Sequence, residues 1–80
     1  MPGIPKIQKF KGDNSQSFKM WILEFEAQCT ALGHDKKNWR ELLQCNLEGK
    51  AFVFLSNLIS QSDGKITYNE CLPRMEETYS

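Results

Sequence analysis

Apolar positions in the 80-residue chain fall into four runs of helical period, separated by glycine, proline and short polar turns. The longest runs from Asn14 to Gly33. Phe18, Trp21, Ile22, Phe25, Cys29 and Leu32 fall at i, i+3, i+4, i+7, i+11 and i+14. At roughly 100° per residue they share one face, which predicts an amphipathic helix over about 15–32. Met20, Leu23, Ala27 and Ala31 form a second apolar stripe on the opposite face, flanked by Lys19, Glu26 and Thr30 on one side and Glu24 and Gln28 on the other. A surface helix in a small monomer needs one such stripe. The second stripe is therefore expected either to be covered by the arm or the last helix, or to meet another molecule.

The second run predicts a helix over about 36–47, capped by Asp35, with Trp39, Leu42, Leu43 and Leu47 facing inward and Gly49 ending it. A third helix over about 50–60 follows almost without a linker. Ala51, Phe54, Leu55 and Leu58 form its main stripe, and Phe52, Val53 and Ile59 lie largely outside it. Residues 60–66 read as a loop that turns at Asp63-Gly64. Thr67 and Glu70 fit a capping box for a last helix over about 67–79, with Tyr68, Cys71, Leu72, Met75 and Tyr79 on one face. Pro73 falls inside it, so that helix is expected to kink or to begin its regular part late.

Before the first helix, Pro2, Gly3 and Pro5 make residues 1–13 an extended arm, anchored by Ile4, Ile7 and Phe10 and turning at Gly12-Asp13. The fold class expected is therefore all-α: a small four-helix bundle over 14–80 with an extended N-terminal arm. Its core is Phe18, Trp21, Ile22, Phe25, Leu32, Trp39, Leu43, Leu47, Phe54, Leu55, Leu58, Leu72 and Met75.

Composition narrows the function. Ten basic and ten acidic residues give zero net charge, against the strongly basic balance of a nucleic-acid module. Lys6, Lys9, Lys11 and Lys19 alone make direct nucleic-acid binding a weak expectation. No apolar run reaches the length of a membrane span. Cys29, Cys45 and Cys71 are odd in number and widely spaced, and the single His34 has no metal-ligand spacing to them. They read as small hydrophobes in a reducing, cytoplasmic compartment, with no metal and no cofactor expected. Glu24 with Glu26 and Glu76 with Glu77 place their carboxylates on different helix faces, and no phosphate-binding glycine loop or nucleophile–histidine pattern occurs. No catalytic role is expected.

The order of motifs adds a resemblance. Phe10-x-Gly12, Phe18-x-x-Trp21-Ile22-x-x-Phe25-Glu26, Leu43-x-x-x-Leu47-x-Gly49-x-Ala51, Leu55-x-x-Leu58 and Tyr68-x-x-x-Leu72 with Tyr79 follow one another over about residues 5–79. This series resembles the N-terminal capsid lobe of the Gag polyprotein of LTR retrotransposons, in the Ty3/gypsy style or that of BEL/Pao. Pro73 departs from the unbroken last helix of that lobe. The zinc knuckles that carry RNA packaging in the family are not in this chain, so RNA binding does not transfer. The resemblance implies a non-enzymatic, self-associating lobe that builds rings and virus-like particles. Met20, Leu23, Ala27, Ala31, Phe52, Val53 and Ile59 are then the candidate contacts between copies. Domesticated, Arc-like relatives imply an alternative: an interaction domain that holds short apolar peptides where Ile4, Ile7 and Phe10 dock.

Overall fold

Residues 6–79 are described by the computed structural model. Among them lie four α-helices, α1 (Phe18–Ala31), α2 (Trp39–Cys45), α3 (Gly49–Gln61) and α4 (Tyr68–Tyr79), and a 3-10 turn at Lys36–Asn38 that leads into α2. No strand is present among the described residues, only one parallel bridge between Phe10 and Leu47. The expected all-α four-helix bundle is the fold. Helix α4 packs against each of the other three, and α2 also packs on α3.

Local chemistry sets the helix ends. Ser17 is the N-cap of α1 and accepts from the backbone N–H of Met20 at 3.3 Å. Asp35 caps the 3-10 turn by accepting from Lys37 N–H at 3.1 Å. Thr67 and Glu70 form the capping box: Thr67 N–H donates to Glu70 Oε1 at 2.9 Å, and Glu70 N–H to Thr67 Oγ1 at 3.2 Å. Helix α4 runs through Pro73, which is exposed along with Asn69. The Asn69 carbonyl that loses its partner thus belongs to an exposed residue and can be satisfied by water.

The buried core consists of Phe10, Phe18, Trp21, Phe25, Cys29, Trp39, Leu43, Leu47, Ala51, Leu55, Leu58, Cys71 and Met75. Ile22, Phe54 and Leu72 are half-buried and pack against this cluster from its edge. Leu32 departs from expectation, being 53% exposed. Cys29 is the last buried residue of α1, and Leu32 is its C-cap, past the point where a neighbour covers the stripe. Ile59 departs the other way. It is half-buried and packs against the core, so less of it is left for a neighbour than of Phe52 or Val53.

Leu47 is buried as expected but is not helical. Helix α2 ends at Cys45, and Leu47 joins the bridge instead. Gly49, at φ +61°, begins α3 rather than following α2. A left-handed φ there lets the chain reverse within three residues.

Candidate interaction surfaces

The arm is the first feature that geometry redefines. Phe10 N–H donates to the Asn46 carbonyl at 3.0 Å, and its own carbonyl accepts from Glu48 N–H at 2.9 Å, which fixes the arm beside the α2–α3 junction. The Trp21 indole N–H donates to the Gln8 carbonyl at 2.7 Å. Gln16 brackets the same stretch: its Nε2 donates to the Lys9 carbonyl at 3.0 Å, and its Oε1 accepts from Lys11 N–H at 3.1 Å.

These bonds deliver the Phe10 ring, 1% exposed, into a group of rings. It meets Phe18 at 5.3 Å, Trp21 at 5.5 Å and Tyr79 at 5.4 Å between centroids, the first and last edge-on. A ligand that displaced the arm would have to empty the centre of the core. Ile7 is only half-buried and lines a shallow groove of about 380 Å³ with Gln16, Met20 and Trp21. Ile4, the third expected anchor, lies outside the described residues.

The second stripe of α1 is open. Met20 is 61% and Leu23 58% exposed, and Ala27 and Ala31 are exposed as well. Neither α4 nor the described part of the arm buries it. On α3, Phe52 is 42% and Val53 56% exposed, turned away from Ala51, Leu55 and Leu58. The core is complete without any of the six, and among the described residues no buried side-chain nitrogen or oxygen lacks a hydrogen bond. Their exposure is therefore a property of the surface and leaves no hole inside.

A polar bridge lies between α1 and α4. The Tyr68 hydroxyl donates to Glu26 Oε2 at 2.7 Å. Burial, reinforced by the adjacent carboxylate, pushes the Tyr68 phenol far above its ordinary range. Burial likewise raises the thiols of Cys29 and Cys71 and makes them inert rather than nucleophilic. Cys45 is exposed, and all three cysteines are free. Among the described residues no group of three or more His, Cys, Asp and Glu side chains could hold a metal ion. No helix there is long and apolar enough to cross a membrane.

Arg40 has a role that periodicity does not reveal. Its Nη1 donates to the carbonyls of Gly64 at 2.7 Å and Ile66 at 2.9 Å, and its Nη2 meets Glu41 Oε2 at 2.8 Å. It ties the α3–α4 loop to α2. No protein-family model, curated protein or solved structure matches this chain.

Proposed function

We propose that the chain is a non-enzymatic, self-associating building block, a capsid-type lobe of the kind found in retrotransposon Gag. The observation that carries this reading is the open apolar face of α1, with Met20 61% and Leu23 58% exposed on a bundle whose core is already complete. Phe52 and Val53 on α3 supply a second apolar contact. The motif order from Phe10 to Tyr79 supports the Gag resemblance. Free cysteines, two of them buried in the core, support a reducing compartment.

Magnitudes make each contact weak. Covering the exposed part of four such side chains gains about 1 kcal/mol apiece, scaled from about 1.5–3 for burying a whole one. Association costs about 4 kcal/mol or more in lost freedom. The two terms nearly cancel, so a pair held by these residues alone is millimolar or weaker. Closed rings and tethering within a longer chain then add avidity without new contacts. Sedimentation equilibrium of wild type against Leu23→Asp tests this. The wild type should gain mass with concentration, and the variant should stay at 9.3 kDa with unchanged stability. Equal mass at every concentration would sink the proposal.

A further inference from the structure

Two open hollows run together where the 3-10 turn and α2 face the start of α4. One, of about 480 Å³, is lined by Lys36, Lys37, Arg40, Glu41 and residues 66–69. The other, of about 570 Å³, is lined by Glu26, Ala27, Thr30, Ala31 and Trp39. Both also include Lys36, Tyr68 and Asn69, so they form one trough. Each volume lies in the range of ordinary ligand sites.

We infer that this trough binds an acidic peptide segment that carries an apolar side chain next to its carboxylates. The two ends differ in chemistry. At one end three cations face a single carboxylate, Glu41, which Arg40 already engages. Among the described residues no carboxylate pairs with Lys36 or Lys37. Arg40 is locked by its bonds to the Gly64 and Ile66 carbonyls, so its charge is fixed in place before any ligand arrives. At the other end the wall is made of Ala27, Ala31, the Trp39 ring and the Tyr68 ring. The one carboxylate there, Glu26, accepts a hydrogen bond from the Tyr68 hydroxyl at 2.7 Å. Lys36 stands at the join, its ammonium 5.4 Å from the centre of the Trp39 ring. Asn69 lines both hollows as well.

Charge complementarity selects the occupant. An acidic group is drawn to the lysines, and an apolar neighbour in the same segment fills the alanine-floored end. A nucleic acid needs a longer cationic track than this, and the chain as a whole carries no net charge. The inference does not rest on self-association; the trough shares Ala27 and Ala31 with the open α1 stripe but is not lined by Met20 or Leu23.

The test is an amide chemical-shift titration of the ¹⁵N-labelled chain with acetyl-Leu-Ser-Asp-Glu-Glu-amide. Saturable shifts should appear across residues 36–40 and 66–69 and at Ala27 and Ala31. Replacing the three acids by lysine, or the leucine by glycine, should each weaken binding about tenfold, and added salt should weaken it further. A double variant, Lys36→Glu with Lys37→Glu, should lose binding about tenfold or more while keeping its helical circular dichroism. No saturable shift at about 5 mM peptide would overturn the inference. So would undiminished binding in the double variant, or the same shifts with inorganic phosphate alone. Displacement of the peptide by a lower concentration of oligouridylate would overturn it in favour of a nucleic-acid ligand.

Discussion

Replacing Phe10 by alanine tests whether the arm is part of the core or an accessory laid on it. The ring is 1% exposed and sits within 5.5 Å of the centroids of Phe18, Trp21 and Tyr79. Removing a buried phenylalanine costs about 3–5 kcal/mol, of which the edge-on pairs account for part. A domain of 80 residues has about 4–12 kcal/mol in total at about 0.05–0.15 per residue. Phe10→Ala should therefore remove about a quarter of the stability at least, and at the low end should unfold the chain. Urea titration followed by tryptophan fluorescence and circular dichroism reads this directly, because Trp21 lies beside the cavity. The midpoint should fall sharply with the slope unchanged. Phe10→Leu, which keeps most of the volume, should retain the larger part of the stability. A loss below about 1 kcal/mol for Phe10→Ala would refute the reasoning and return the arm to the status of a displaceable strap.

Gly12, at φ +75°, would bring an added Cβ to 2.8 Å from Tyr79 Cε1, so Gly12→Ala should cost about 1–3 kcal/mol in urea melts, and a neutral outcome would contradict the packed turn. Pro73→Ala restores a backbone donor inside α4 and should raise stability by about 1–3 kcal/mol, reduced somewhat by the freer unfolded chain; no rise in midpoint would contradict it. The folded chain holds the Tyr68 proton more tightly than the unfolded one, so its contribution is full below the ordinary phenol value of 10.0 and is lost as pH rises above it. Cys29 and Cys71, raised from 9.0, act in the same direction from about pH 9. Urea melts between pH 8 and 11 should show stability falling by up to about 1.4 kcal/mol per pH unit for each group, less steeply in Tyr68→Phe; identical slopes would contradict the burial of the Tyr68 phenol beside Glu26.

Much of this architecture is legible in residue spacing. The stripes of α1 and α4 repeat over enough turns to fix which side faces in. Asp35 and the Thr67–Glu70 box announce two helix starts because a capping side chain acts on its own neighbours. Long-range outcomes are less accessible. Leu32 and Leu47 keep the helical period of their segments, yet one lies past the last covered turn and the other is taken from helix into a bridge by Phe10. Phe10 itself sits in an irregular arm with no period to mark it as core. Its burial depends on partners up to 69 positions away, at Tyr79. Met20, Leu23, Phe52 and Val53 lie off the main stripes, which marks them as outside the core but leaves open whether the arm, α4 or another molecule covers them. Ile59 lies at the edge of α3's stripe, where a few degrees of rotation decide burial. The cationic trough joins α1, the 3-10 turn, α2 and the start of α4, so no local window contains it.

The proposed self-association is tested most directly by an isotope-filtered NOE experiment on a mixture of ¹³C-labelled and unlabelled chains at about 1 mM, where a millimolar pair is partly formed. Self-association predicts intermolecular cross-peaks to the methyl groups of Met20 and Leu23, both more than half exposed in the single chain. No cross-peak to either methyl, together with the tumbling time of a 9.3 kDa monomer, would contradict it.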